Sequence, residues 1–213
     1  MKIGLDLRML DGGSGISRYI SELSHQILKL DKKNQYVLFF NKLTVDLLRQ
    51  YEVYGHKMVP TGIGHYSLEE QFKLPAILKK ENLDLVHFPH FNVPIFYRKP
   101  FVVTIHDLTH TKFPGTKKSH ILHRIAYNLT IWNAVKSSKK IIAISEFTKK
   151  EVMEYFRIDS QKIQVIYEGA KDIYTVMDKD EALAYVAYRF KLTKPYILYV
   201  GVWRRYKNLP SLA

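Results

Sequence analysis

Two hydrophobic rhythms alternate along the chain. Short blocks of strand-forming residues occur at Lys2 to Arg8 (KIGLDLR), Gln35 to Asn41 (QYVLFFN), His56 to Pro60, Asp84 to Phe88, Phe101 to Ile105, Lys139 to Ile144 (KKIIAI) and Lys162 to Ile166 (KIQVI). Between them apolar residues recur at helical spacing. Ile16, Tyr19, Ile20, Leu23, Ile27 and Leu30 mark a first helix; shorter ones follow at about Thr44 to Tyr51 and from Ser67 onward. Ser67 and Glu70 have capping-box spacing ahead of Phe72, Leu74, Ile77 and Leu78, with Pro75 inside that helix as a kink or a sign of a late start. Further helices are expected from about Lys118 to Lys136 and from Ser145, an N-cap, to about Phe156. Strand and helix alternate to about residue 170, and right-handed crossovers then build a doubly wound parallel α/β sheet.

The helix at Lys118 to Lys136 carries two apolar faces. Ile121, Leu122, Ile125, Leu129 and Trp132 form the face expected to pack on the sheet, and Tyr127, Ile131 and Ala134 form a second on the side expected to meet water. After residue 170 the pattern changes. A polar stretch, Lys171 to Glu181, leads to a helix at Ala182 to Leu192, then to a strand at Tyr196 to Val200 and a basic turn with Arg204, Arg205 and Lys207. This divides the chain into an α/β domain at 1–175, a linker and connecting helix at 176–194, and at 195–213 the opening of a truncated second domain.

Composition narrows the class. The chain of 213 residues has 46% hydrophobic residues, enough for a sizeable core, and contains no cysteine, so disulfides and thiolate metal sites are excluded. No apolar run reaches the length of a membrane span and the amino terminus enters a strand directly, so the chain is expected to be soluble and cytoplasmic. The formal charge is +13, and between Lys112 and Lys150 nine basic residues face one acid, Glu146. That field attracts phosphates of nucleotides or anionic lipid head groups, and with the doubly apolar helix it suggests peripheral contact with an anionic membrane. Nucleic acid is not expected as a partner, because stacking aromatics do not interleave with the basic residues.

Candidate chemistry lies where strands end. Phe101 to Ile105 stops at His106 and Asp107, and ligands of open α/β sheets sit at the carboxyl ends of strands. Gly13, Ser14 and Gly15 follow the first strand and open the first helix, where backbone amides and the helix dipole favour an anion. Ser145 aims a hydroxyl and free amides at the same edge. His87 and His90 are read as locally hydrogen-bonded residues, since no carboxylate or cysteine completes a metal set around them. A dinucleotide-binding oxidoreductase fits poorly: position 18 is Arg where a small residue is needed, and no acid lies about twenty residues beyond the loop.

In order along the chain, GGSGISRY at residues 12 to 19, the His106-Asp107 pair, AISEFT at 143 to 148, VIYEGA at 165 to 170 and YILYVG at 196 to 201 followed by Lys207-Asn208-Leu209 resemble the retaining GT-B glycosyltransferases of family 4. The resemblance implies a Rossmann-like acceptor-side domain followed by the start of a donor-binding domain. It implies transfer of a hexose, mannose-like by preference, from a nucleotide sugar to a glycan or lipid-linked acceptor, with retention and without a required metal or other cofactor. By position, Gly13, Ser14 and Gly15 would lie against donor diphosphate or acceptor, His106 near the anomeric centre with Asp107 beside it, and Ser145 along the cleft. Arg204, Arg205 and Lys207 would reach the donor phosphates. The sequence departs from the family where Tyr167-Glu168-Gly169 replaces the usual Asn-Gly turn, and the family's paired donor-site glutamates have no counterpart. The chain by itself is therefore expected not to turn over. A non-catalytic half-domain that binds carbohydrate or a lipid carrier is the alternative.

Overall fold

The computed structural model describes residues 1–10, 13–112, 121–169, 175–201, 203 and 205–212. The chain forms two compact units, Met1–Glu168 and Gly169–Ala213. In the first, seven strands form one parallel sheet: β1 (Lys2–Asp6), β2 (Gln35–Phe40), β3 (Lys57–Pro60), β4 (Leu85–Phe88), β5 (Phe101–Ile105), β6 (Lys140–Ala143) and β7 (Ile163–Val165). Their spatial order is β3-β2-β1-β4-β5-β6-β7, with every neighbouring pair parallel. The doubly wound α/β sheet read from the sequence is the fold found. The direction of strand addition reverses between β1 and β4, and the loops leaving these two strands diverge to opposite sides and open a crevice.

Both faces of the sheet are covered, and β2 shows how. Tyr36, Leu38 and Phe40 point to one layer with Leu5, Leu7, Ile20, Leu28 and Tyr51, which come from β1 and the residue directly after it, α1 (Gly15–Leu30) and α2 (Val45–Tyr51). Val37 and Phe39 point to the other layer, with Leu74 and Leu78 of α3 (Leu68–Lys80), Ile131, Ala134 and Val135 of α5 (Ile121–Ser137) and Val152 of α6 (Glu146–Phe156). Alternation of period two on a strand buried on both sides produces the continuous apolar run QYVLFF. Each such fully buried side chain contributes about 1.5–3 kcal/mol relative to exposure. Gly4 in β1 is closely packed: an added Cβ would lie 2.8 Å from the Leu83 side chain and 3.1 Å from that of Phe39, which would have to give way.

The helices start where their caps dictate. Ser14, Thr44, Ser67 and Ser145 each accept a hydrogen bond from the backbone amide three residues on, at the starts of α1, α2, α3 and α6. Helix α3 starts at Leu68, directly after its Ser67 cap, and runs through Pro75, so of the two alternatives a late start is not found. The segment after β5 forms a single turn, α4 (Thr109–Lys112); Lys118 to His120, expected to open the next helix, lie outside the described residues.

Two expectations are corrected. On α5 the faces are exchanged: Ile131, Ala134 and Val135 are buried and Tyr127 packs against the core, whereas Ile121, Ile125, Leu129 and Trp132 are half to three-quarters exposed. A helix apolar all round gives periodicity no means of choosing, and the sheet takes the side where small residues let the backbone approach. Tyr196 to Val200 is not a strand, and Ile197, Leu198 and Val200 are exposed. A strand satisfies its peptide groups through neighbours, and the described residues of the second unit provide none. That unit contains α7 (Lys179–Phe190), capped by Asp178, and two short 3₁₀ turns, Arg205–Lys207 and Leu209–Ser211.

Candidate functional site

Parallel strands end on one side of the sheet, so the loops leaving β1, β4, β5, β6 and β7 share a rim. His106 follows β5 there, with its side chain only 13% exposed. Its Nε2 lies 2.9 Å from the carbonyl oxygen of Pro89, in the loop after β4. Its Nδ1 lies 3.2 Å from Oε1 of Glu168, after β7. The ring of Tyr19, from the first turns of α1, meets the imidazole edge to face with centroids 4.7 Å apart. Tyr19 Oη and His87 Nε2 both meet the buried Thr104 hydroxyl, at 3.3 and 3.0 Å, immediately below His106 in β5 and β4. The glycine loop after β1 and His106 therefore flank one rim, joined through Tyr19.

The remaining candidates of the first unit divide into those tied to His106 and those beside it. Ser145 caps α6 through the Thr148 amide at 3.1 Å. The Thr148 hydroxyl donates to the main-chain oxygen of His106 at 3.1 Å, which leaves Ser145 as donor in its 3.0 Å contact with that hydroxyl. Capping of α6 and placement of His106 are thus one hydrogen-bonded chain. Asp107 is exposed and accepts from the Thr109 amide at 2.8 Å, fixing the turn into α4. Gly13, at φ +56°, holds a left-handed conformation that other residues adopt at a cost, Ser14 caps α1, and Gly15 begins it; all three are exposed. Of the expected phosphate cluster, Arg204 and the side chain of Arg205 lie outside the described residues. Lys207 closes a 3₁₀ turn of the second unit with its ammonium 5.6 Å from the Tyr206 ring centre.

The residues that sequence reading missed lie at the switch point. Arg8, just past β1, is 1% exposed and makes a two-pronged contact with Asp6, Nε to Oδ1 and Nη2 to Oδ2, both 2.8 Å. Its Nη2 also lies 2.7 Å from Oε1 of Glu70, a fully buried residue in the first turn of α3. Glu70 further accepts from Asn92 Nδ2 at 2.8 and 2.9 Å and from the Tyr66 amide at 2.8 Å. The capping box is therefore only half of what Glu70 does: its amide bonds Ser67, while its carboxylate joins the ends of β1 and β4. Burial works against the Arg8 charge, but Asp6 and Glu70 outweigh it and hold the guanidinium protonated above its ordinary range. A charged pair one residue apart at the end of an apolar strand, Asp6 and Arg8, was the available signal.

Histidines below the rim are kept neutral. Burial, helped by the nearby His106, lowers His90 to about 3; burial also lowers His87 to about 4, with Asp6 opposing it. Their partners are local, as expected: Thr104 for His87, and the Asn92 amide, which donates to His90 Nδ1 at 3.3 Å. Among the described residues no three His, Cys, Asp or Glu side chains gather into a metal-binding group. The rim thus offers hydroxyl and amide donors and acceptors beside one engaged imidazole, a set suited to polyhydroxylated and anionic ligands.

Over 138 residues the chain is 22% identical to the O-antigen chain mannosyltransferase RfbU of Salmonella typhimurium, covering 65% of this chain and 34% of that protein. Among solved structures it resembles Anabaena Alr3699/HepE in complex with UDP and glucose, with a TM-score of 0.55, 15% identity and coverage of 91% of this chain and 51% of that one. It also resembles the apo lipopolysaccharide outer core galactosyltransferase WaaB, with a TM-score of 0.51, 19% identity and coverage of 83% and 48%. The chain spans about half the length of these solved structures and a third of the curated relative. The sequence model of Glycosyltransferase Family 4 matches residues 13–171, which include the glycine loop, His106 and Ser145 described above. This chain belongs to glycosyltransferase family 4.

Proposed function

We propose that this chain is the acceptor-side part of a retaining hexosyltransferase, one that moves a mannose-like sugar from a nucleotide sugar to a glycan or lipid-linked acceptor. The observation that carries the reading is the convergence of the Gly13 to Gly15 loop, His106 and the Ser145 cap on one rim, at the carboxyl ends of parallel strands. In the reaction, His106 contacts the transferred sugar, Ser145 and the amides at the start of α6 line the cleft, and the exposed Gly13 to Gly15 turn admits phosphate or sugar close to the backbone. Arg204, Arg205 and Lys207 serve the donor diphosphate, so that positive charge and helix amides, rather than a required metal, stabilise the leaving group. The mannose preference leans on the relative that is named a mannosyltransferase.

Transfer is expected when a donor-binding half is supplied, and not from this chain alone. The test is to provide that half and screen nucleotide sugars for hydrolysis or transfer, then repeat with His106→Ala. Undiminished turnover in that variant removes His106 from the mechanism. Acceptor binding without turnover under any complement would instead favour a carbohydrate-binding half-domain.

The acceptor side is also where a membrane would be met, placing the protein in the cytoplasm at the inner face. The exposed stripe of Ile121, Ile125, Leu129 and Trp132 on α5, within the basic 112–150 segment, supports this contact. No helix of the described residues is long and apolar enough to cross a membrane. Liposome sedimentation decides the point: enrichment on anionic over neutral vesicles at low salt, lost in Leu129→Glu/Trp132→Glu, is expected, and equal recovery on both removes the membrane from the reading.

A further inference from the structure

The surroundings of His106 constrain where its protons are. The Pro89 carbonyl is an acceptor only, so Nε2 at 2.9 Å must carry hydrogen. A neutral imidazole then presents a bare lone pair at Nδ1, and that atom faces a Glu168 carboxylate oxygen at 3.2 Å. Two acceptors in contact repel unless a proton lies between them. The other groups packed around the ring do not supply one. Tyr19, from α1, meets the ring edge to face and has its hydroxyl at Thr104, and burial raises its own value. His90, with centroids 6.3 Å away, and His87 are held neutral by burial. Asp6 lies close enough for its charge to be felt at His87 and His90, and Asp107 and His65 at His90.

We propose that Glu168 is a positioning residue for His106: the Pro89 carbonyl and the Glu168 carboxylate each take one hydrogen bond from the imidazole, so the ring is a fixed two-way donor and no base. The Thr148 hydroxyl on the His106 main-chain oxygen fixes the backbone from a third direction. A ring so engaged has no lone pair for a proton from an incoming hydroxyl. Within the transferase reading, on which this consequence rests, the ring meets the transferred sugar as a donor and the acceptor proton must go elsewhere.

Ring nitrogen-15 spectra of the whole chain at neutral pH test the proton placement without any ligand, with His106 assigned by its loss in His106→Gln. Protonated-type signals are expected from both His106 nitrogens. In Glu168→Gln the side-chain amide can donate, so Nδ1 should change to the unprotonated type while Nε2 keeps its hydrogen; Glu168→Asp should restore the original state. An unprotonated Nδ1 in the parent chain overturns the proposal, whether or not the variants fold. So does an Nδ1 signal unchanged in a folded Glu168→Gln. With a donor half supplied, Glu168→Gln is expected to lower kcat by about 10- to 100-fold with little change in KM, with recovery in Glu168→Asp. An equal effect on both parameters would mark a binding contact in place of positioning. Absence of transfer from the parent would count against the transferase reading and leave the ring spectra to decide the proton placement alone.

Discussion

Arg8 Nη2 lies 2.7 Å from Glu70 Oε1, joining the end of β1 to the first turn of α3 across the point where strand order reverses. The contact is buried on both sides and is shared with Asp6 and Asn92, so it braces the walls of the crevice that the fold opens there. Removal of one partner leaves charge without compensation in a dry place. Arg8→Ala is expected to lose about 3–5 kcal/mol of stability, because two carboxylates then lose their counter-ion. Urea unfolding measures it, and a loss below about 1 kcal/mol would show that water reaches the cluster.

His87 and His90 give the fold a pH dependence of known sign. Their folded values, about 4 and about 3, lie below the ordinary imidazole value near 6.5. The unfolded chain therefore binds more protons between those limits, and stability falls as pH drops from about 6.5 toward 4, with little contribution from these residues above pH 7. Each histidine adds a slope approaching about 1.4 kcal/mol per pH unit within its window. Urea midpoints at pH 7, 6 and 5 should decline. Replacement of His90 by Gln should make the decline shallower, and a parallel decline in that variant contradicts the assignment.

The exchanged faces of α5 are open to a paired substitution. Ile131→Ala, on the buried side, is expected to cost about 2–4 kcal/mol through lost transfer energy and a cavity. Ile125→Ala, on the exposed side, should stay within about 0.5 kcal/mol. The reverse ranking in thermal or urea unfolding would restore the orientation expected from the sequence.

Two glycines near the amino terminus should fail for different reasons. At Gly4 an added methyl meets the Leu83, Phe39 and Val86 side chains, so Gly4→Ala is expected to cost about 1–3 kcal/mol through overpacking. At Gly13 nothing lies within 4 Å, yet φ is +56°, so Gly13→Ala should cost only about 1 kcal/mol, from backbone strain. Gly13→Asn, which tolerates that conformation, should recover part of the loss. Equal costs at the two positions would mean that the loop or the strand has shifted.

Local rules made much of this protein legible. Apolar blocks of strand length separated by amphipathic segments specify alternation of strand and helix, and the handedness of crossovers turns alternation into a doubly wound parallel sheet. Ser14, Thr44, Ser67 and Ser145 set helix starts through contacts three residues long, so their positions could be read. The rim location of His106 followed from its place at the end of an apolar strand. Tertiary structure decided what depends on partners distant in the chain. The face of α5 that is buried depends on which side lets the helix approach the sheet, and a helix apolar on both sides does not encode that choice. Tyr196 to Val200 has strand composition but no neighbour among the described residues of its unit to take its peptide groups. Asp6, Arg8, Glu70 and Asn92 converge from three segments, and Glu168 reaches His106 across 62 positions of sequence. Such long-range pairing of charge is invisible to periodicity, because it exists only once the parallel strands have brought their carboxyl ends to one rim.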